Sequence, residues 1–457
     1  MPVERRFAEF ATYAQYEEFP RATVDFVKSL ILGVVGTAVA GATQIDSSIA
    51  VDLAREWGGK EEATIFVYGN KVPAYNAAFA NSVMARALDY EDGMPPGVHV
   101  GASVIPTALA AAELAGGCSG KEFIVAVTIG AEIIANLASC SLFDGFDPTG
   151  ILSVIGASAT AGRIIGLNVM QMRDALALAF NRSGGSFQSN IDGSLAVASI
   201  QGFTSQNAII CAQLAQRGIT GPENFIKGIY GYLHLYGKDK FTPEDLTRNL
   251  GKTFLVHKAL CKKYPSCGCT LSATNATLEL VKEKEGGFSP KDIKSIEVRV
   301  TPYSHKLVGH DFKIGGNPRV DAQFNIQYCV ANAILRGRSK LEDFEESSIR
   351  DPRIMELVEK IRVIPDSFMM GQGTESTLSA HVKIVDTDGV FEKLVEFAPG
   401  MPENPMTREE HLEHFRDCMS YARKPLSPEK QAQIISFVDL LEEVKDVREL
   451  MPLTLAG

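Results

Sequence analysis

Residues 84–106 read MARALDYEDGMPPGVHVGASVIP. An Ala-rich helical run ends in three acids, Asp89, Glu91 and Asp92, a Gly/Pro loop follows, and His99 precedes a second helix of small residues from Gly101. Pro95, Pro96 and Gly97 end any helix there, because proline lacks an amide donor and glycine tolerates unusual dihedrals. Acids and an imidazole are thus carried on a loop between two rigid elements, a common way to hold reacting groups. The competing reading is a surface turn whose acids only cap and solvate it. The small residues on either side predict helices that pack closely, and that style runs through more than half of the chain.

Working outward, apolar spacing predicts helices over residues 7–19, 23–40, 46–58, 73–90, 102–115, 120–142, 150–165, 169–182 and 206–216, with a short β-like link at 63–70. Helices this rich in Ala, Gly and Ser, and apolar nearly all round, belong in a core or a membrane. The character changes near Lys262. IKSIEVRV at 293–300 and LSAHVKIVDTDGVFEKLVEF at 378–397 alternate like strands, the latter turning at Asp386-Thr387-Asp388-Gly389. Helices are predicted between them at 270–284, 321–337 and 351–361. PGMPENP at 399–405 reads as a linker, and amphipathic helices at 407–420 and 427–444 return to the first style. The expected fold is mainly α with an α+β second domain. Residues 1–260 and 402–457 form a large all-helical domain, and 261–401 a smaller inserted α+β domain.

A length of 457 residues fits two domains, and 45% hydrophobic with 22% charged residues is a globular composition. The net charge of −10, with no Lys/Arg-rich run, disfavours nucleic acid or an anionic membrane as partner. An anionic substrate would need local cations. Eight scattered cysteines and an N-terminus without a signal or transit pattern point to a reducing cytoplasm, with no disulfides expected. The most hydrophobic run, 29–45, is shorter than a membrane span and dense in Gly, Ala and Thr, so a buried helix is expected and no transmembrane segment.

The spacing of Cys261, Cys267 and Cys269, C-x5-C-x-C, matches neither paired zinc ligands nor iron–sulfur runs, so a structural role is expected and no metal. Gly33, Gly36 and Gly41 follow no strand of a βαβ unit, so a dinucleotide fingerprint is rejected. His411 and His414 fall on a polar stretch expected to be solvated. There is no GxSxG, HExxH or Walker pattern. The run KKYPSCGCT at 262–270 offers Lys262, Lys263, the Tyr264 hydroxyl and glycine-freed amides ahead of a helix, where the dipole favours an anion such as a carboxylate. A flexible linker with solvated lysines is the alternative.

These pieces combine into a resemblance to the MmgE/PrpD family of 2-methylcitrate dehydratase and cis-aconitate decarboxylase. FVKSLILGVVGTAVAG looks like the family's second helix, and VYGNKVPAYNAAFANSVMARALDYEDG resembles its approach to the acidic loop. HVGASVIP is similar to its His-Pro-Ser stretch, KKYPSCGCT resembles its K-x-Y-P-x-C-G-G-T-H junction, and NPRVDAQFNIQYCVANAILRG looks like its lid helix. The resemblance implies a homodimer with a helical domain, a smaller α/β lid and a cleft between them, acting without metal or cofactor on a small di- or tricarboxylate. Losing water or carbon dioxide beside a carboxylate needs a base, an acid and cations for the enolate-like charge. On this reading Asp92 and His99 are the acid/base pair, and Lys262 and Tyr328 bind substrate and stabilise charge. Asp89, Lys263, Tyr264, Gln201 and Asp147 line the substrate. The chain departs from the family at Val197-Ala198, where a Lys-Arg pair is typical, at Asp147 in place of histidine, and at Leu271 after Thr270. The expectation is therefore a metal-free dehydratase or decarboxylase on an altered substrate with fewer carboxylates. An epimerase using the same α-proton abstraction is the alternative, and a non-catalytic relative is a third reading.

Overall fold

The computed structural model describes residues 2–369 and 378–456. The helical part opens with α1 (Val3–Tyr13), α2 (Arg21–Gly41) and α3 (Ile45–Trp57). The two-residue strands β1 (Ala63–Thr64) and β2 (Lys71–Val72) form a small hairpin before α4 (Ala74–Arg86) and β3 (Asp92–Gly93). There follow α5 (Gly101–Ala115), α6 (Gly120–Ser139), α7 (Val154–Ile164), α8 (Val169–Asn181), the single turn α9 (Gln188–Ile191) and α10 (Ala196–Gln216). Short helices α11 (Tyr232–Leu235) and α12 (Pro243–Thr247) lead to β4 (Leu260–Cys261). The mixed part contains α13 (Leu271–Glu283), β5 (Ser295–Val300), α14 (Pro302–Val308), α15 (Pro318–Gln323), α16 (Ile326–Arg336), α17 (Glu346–Ile349), α18 (Pro352–Val358), β6 (Ile361–Pro365), β7 (Ala380–Val385) and β8 (Val390–Val395). Helices α19 (Arg408–Tyr421) and α20 (Pro428–Asp439) close the chain.

Two hydrophobic cores organise these elements. The first gathers α1 to α8 and also takes in Phe415, Cys418, Met419, Ile434 and Val438 from the last two helices. The second runs from Leu260 to Met401, with Val197 reaching in from α10. In it a four-stranded sheet has the order β6-β5-β7-β8, with β5–β6 parallel and the other pairs antiparallel. Ile296, Val298 and Val300 of β5 and Ala380, Val382 and Ile384 of β7 turn to the buried face. The architecture is thus mainly helical with an α+β second part.

Small residues do what their spacing promised. A Cβ on Gly130 of α6 would lie 2.8 Å from the Gly156 carbonyl of α7, and one on Gly156 would lie 2.4 Å from the Gly130 carbonyl, so the two backbones touch where no side chain fits. Helices α2 and α6 are long and apolar enough to cross a membrane, but 78% and 89% of their apolar windows are buried inside the protein. They are core helices of this fold.

Several element bounds differ from expectation, each for a local reason. The first helix stops at Tyr13 because Gln15 and Glu18 form a capping box around a separate turn. Helix α10 begins ten residues before the expected 206; its start, AVASIQG, is a weak helix former, but Gly202 lets it seat against Phe79 and Val83. The helix expected over 321–337 is two, broken where Asn325 caps α16 by accepting from the Tyr328 amide at 3.0 Å. Strand β6 was missed, and it begins where the expected 351–361 helix was to end.

Glu132 lies within α6, wholly buried, its carboxylate accepting from the Val256 amide at 2.5 Å. Burial pushes its carboxyl up from 4.5 to about 7. The native state thus keeps a proton that the unfolded chain releases near 4.5, so this group's contribution to stability falls as pH rises from about 4.5 to about 7. Glu132→Gln keeps the acceptor and removes the proton. Urea unfolding at about pH 5 and about pH 7.5 should show a smaller stability loss with rising pH in the variant than in the wild type; equal losses would contradict the assignment.

Candidate active site

The acidic loop and the 260s segment are joined by a two-residue antiparallel ladder, β3 on β4, with Asp92 opposite Cys261 and Gly93 opposite Leu260. This pairing carries Lys262 to the end of α4. There Asp89 adopts a φ of 49°, the left-handed region that aspartate tolerates better than most residues. Its Oδ1 accepts from Arg86 Nη1 at 2.5 Å and from Lys262 Nζ at 2.6 Å, and its carbonyl accepts from the same ammonium at 3.0 Å. Lys262 comes from 173 residues along the chain. All three residues are buried. Burial alone would raise the Asp89 carboxyl, but Lys262 and then Arg86 outweigh it and hold the group below the usual carboxylate range.

Glu91 and His99 form the second half of the cluster. His99 Nδ1 lies 2.9 Å from the Asp92 carbonyl and 2.7 Å from Glu91 Oε1. A carbonyl can only accept, so Nδ1 carries the proton and Nε2 keeps the lone pair when the ring is neutral. Nε2 has no hydrogen-bond partner among the described residues. The backbone of His99 is pinned as well: its amide donates to Thr149 Oγ1 at 3.1 Å, and its carbonyl accepts from Ser153 Oγ at 3.2 Å and Gln201 Nε2 at 3.1 Å. Thr149 and Ser153 bound a π-helical turn at the head of α7, a feature that concentrates at functional sites. Glu91 is wholly buried and neither carboxylate oxygen accepts a hydrogen bond of good geometry. Burial would raise its carboxyl, but Arg86, 3.5 Å away at Nε, and His99 hold it low.

Asp92, expected to share proton transfer with His99, has its carboxylate on the N-terminus of α5. Val100 N donates to Oδ2 at 3.0 Å, and Gly101 N lies 2.9 Å from Oδ1 and 3.1 Å from Oδ2. A Cβ at Gly101 would come 2.4 Å from Asp92 Oδ1, so glycine is required for this cap. Burial raises the Asp92 carboxyl. Its role next to His99 passes through its carbonyl. Asp147 caps the π-helical turn in the same way, accepting from Thr149 N at 2.9 Å and Gly150 N at 3.2 Å, and burial raises its carboxyl too.

The other expected residues lie elsewhere. Tyr328 is buried in the second core between Phe312 and Phe344, and its hydroxyl donates to the Asp343 carbonyl. Tyr264 donates to Asn275 Oδ1 at 2.8 Å, and Lys263 pairs with Glu410 on α19 at 2.6 Å. His414, expected to be solvated, is buried with Nε2 2.9 Å from the Tyr90 carbonyl, and its pKa is lowered to about 4 by burial. The expectation therefore gave roles to Asp89, Asp92, His99, Gln201, Asp147 and Lys262 within one region, counted Glu91 among the loop acids without a role, and left out Arg86. The Arg86–Asp89 i,i+3 spacing was the available signal.

Asp89, Glu91 and His99 each place a ligand-type atom within 4.8 Å of the others, the spread of a metal-binding set. Arg86 and Lys262 already neutralise these oxygens, so the cluster as built is an ion-pair network. Arg86→Met leaves Glu91 buried without its nearest permanent cation and Asp89 with one cation in place of two. A loss of about 3–5 kcal/mol in unfolding free energy is expected by urea titration; an unchanged midpoint would show that Arg86 carries no structural load.

Comparison with known proteins identifies the family. A family model of the MmgE/PrpD N-terminal domain matches residues 5–244, and one of the MmgE/PrpD C-terminal domain matches residues 264–443. A cis-aconitate decarboxylase of Homo sapiens is 24% identical over 449 residues, covering 93% of this chain and 89% of its own length. A cis-aconitate decarboxylase of Aspergillus terreus is 21% identical over 478 residues, covering 98% and 96%. A mitochondrial 2-methylcitrate dehydratase of Yarrowia lipolytica is 24% identical over 328 residues, covering 66% and 62%. With both domain models matched in order along the chain, and with relatives named as lyases, this protein belongs to the MmgE/PrpD family of enzymes.

Proposed function

We infer that this lyase removes water or carbon dioxide from a small di- or tricarboxylate by moving a proton next to a carboxylate, with His99 Nε2 as the proton carrier. The observation that supports this most is the way His99 is held. Its ring is oriented through Nδ1 by the Asp92 carbonyl and Glu91, and three side chains fix its backbone. A positioned imidazole with one open nitrogen suits general acid or base work. In this reading the Lys262 ammonium and the Arg86 guanidinium supply the positive charge that steadies an enolate-like intermediate. The relatives named above are two cis-aconitate decarboxylases and a 2-methylcitrate dehydratase, whose named compounds are tricarboxylates.

The charge balance favours a substrate with fewer than three carboxylates. Arg86 and Lys262 are both engaged with Asp89, and Glu91, Asp92 and Asp147 share the same region. Val197 and Ala198, where the family typically has a cation pair, are buried among apolar neighbours. That observation also supports a second reading, epimerisation by the same proton abstraction.

Incubation with citrate, 2-methylcitrate, cis-aconitate and simpler dicarboxylates in deuterated water separates these outcomes. An absorbing alkene marks dehydration, released carbon dioxide marks decarboxylation, and solvent deuterium entering without net product marks epimerisation. His99→Gln should lower kcat by about 10²–10⁴-fold while the circular dichroism spectrum stays unchanged; an unaltered kcat would overturn the role of His99.

A homodimer is part of this proposal. Ile45, Ile49, Leu53 and Trp57 recur every four residues along α3 and are 61%, 59%, 37% and 47% exposed. Phe79 bridges this stripe to the exposed Phe203 of α10, with ring centroids 5.6 Å from Trp57 and 5.4 Å from Phe203. An apolar surface this continuous fits a self-complementary contact about a twofold axis. Ile49→Asp should turn a dimer into a monomer in sedimentation velocity; a dimer that persists would place the contact elsewhere.

A further inference from the structure

An open cleft of about 450 Å³ lies apart from the candidate active site and shares no lining residue with the cluster around His99. Arg55 of α3, Tyr68 and the Arg423-Lys424 pair between α19 and α20 line it, and among the described residues no carboxylate does. In a chain of net charge −10 this is a local reversal of sign. Two of the cations share one ring. The Arg55 guanidinium carbon lies 4.9 Å from the Tyr68 ring centroid, and the Lys424 ammonium lies 4.2 Å from it. Lys424 has no carboxylate or hydrogen-bond acceptor among the described residues. Arg423 has Glu345 Oε2 at 3.6 Å, and Arg55 is held by Asn70 Oδ1 at 2.9 Å and Asp52 Oδ1 at 3.2 Å.

The wall behind these charges is fixed by the backbone. Val67 adopts a φ of 66°, a conformation that a β-branched residue takes only where its surroundings impose it, and such strain gathers at ligand clamps. The last residues of the chain impose it. The Val67 amide donates to the Thr454 carbonyl at 3.1 Å, and the Ala456 amide donates to the Val67 carbonyl at 3.1 Å. Between them the Leu455 carbonyl accepts from Lys430 Nζ at 2.7 Å. Tyr68 is anchored in turn, its hydroxyl donating to the Ala42 carbonyl at 2.8 Å. Arg55 leaves α3 on the side away from Leu53 and Trp57, so the cleft and the proposed dimer contact use different faces of that helix.

We propose that this cleft is a second, non-catalytic binding site for a compact anion carrying two or more negative charges on phosphate or carboxylate oxygens. A guanidinium meets such oxygens in pairs and an ammonium adds a point charge, so Arg55, Arg423 and Lys424 together suit a multiply charged oxyanion. Lys424 is the member that gives up no acid on binding. Small-molecule sites run from roughly 300 to 1,000 Å³, so the cleft has room for more than one charged centre, as in pyrophosphate or citrate. Binding is non-covalent and uses no residue assigned to proton transfer, so the proposal stands whether or not His99 carries the chemistry.

The test is isothermal titration of the full-length protein with inorganic pyrophosphate and, separately, with citrate, at fixed ionic strength. At least one of them should bind the wild type with an affinity that falls by about tenfold or more in Lys424→Ala and in Arg423→Ala. Both side chains are exposed, so the circular dichroism spectrum should not change. Lys240→Ala, at an exposed lysine outside the cleft, should keep the wild-type affinity. A loss seen with pyrophosphate assigns the site to phosphates, and one seen with citrate alone assigns it to carboxylates. Failure of both anions to bind, or an affinity unchanged in Lys424→Ala, would overturn the proposal. An equal loss in Lys240→Ala would overturn it too, by showing diffuse surface charge. So would binding that appears only after deletion of Gly457, which would give the cleft to this chain's own residue.

Discussion

One carboxylate, that of Asp89, is shared between a guanidinium at the end of α4 and an ammonium from the 260s segment. Charges this deeply buried are tolerated because each has its opposite within hydrogen-bond reach. The interaction ties the two hydrophobic cores together at the point where proton chemistry is proposed. Removing either cation exposes the fold to an uncompensated charge, so the same contact serves stability and site geometry.

The rest of the region follows from keeping that contact dry and in register. The β3–β4 ladder sets how far Lys262 reaches. Asp92 then spends its carboxylate on the amides of α5 and offers its carbonyl to His99, so one residue caps a helix and selects a histidine tautomer. Gly101 makes room for that cap, as Gly130 and Gly156 make room for α6 against α7. The small-residue composition of the helical part is therefore a packing requirement that extends to the site. Glu91 is the costly member: a buried carboxylate without a well-aligned hydrogen bond, kept charged by Arg86 and His99.

Much of this was legible in the sequence. Long apolar helices, the 378–397 hairpin and the shift to α+β character at the 260s all have local periodic signals, and residues 84–106 announced an acidic loop with an imidazole. What was not legible depends on contacts distant in sequence. A two-residue ladder leaves no periodic trace, so the Asp89–Lys262 pair was invisible, although both residues were named. Asp92 and Glu91 are one position apart and chemically alike; only the direction each side chain takes decides that one caps a helix and the other faces His99. Tyr328 was named from resemblance, and the fold places its ring among phenylalanines. The isolated β6 pentapeptide was hidden by the helical pattern just before it.

The cluster fixes His99 with its proton on Nδ1 and its lone pair on Nε2. Long-range ¹H–¹⁵N correlation spectra of protein labelled at its eight histidines, with His99 assigned by loss of its signals in His99→Gln, report this directly. At a pH where the ring is neutral, His99 should show a protonated-type Nδ1 shift and an unprotonated-type Nε2 shift. A dominant Nε2–H tautomer, or rapid averaging between the two, would contradict it.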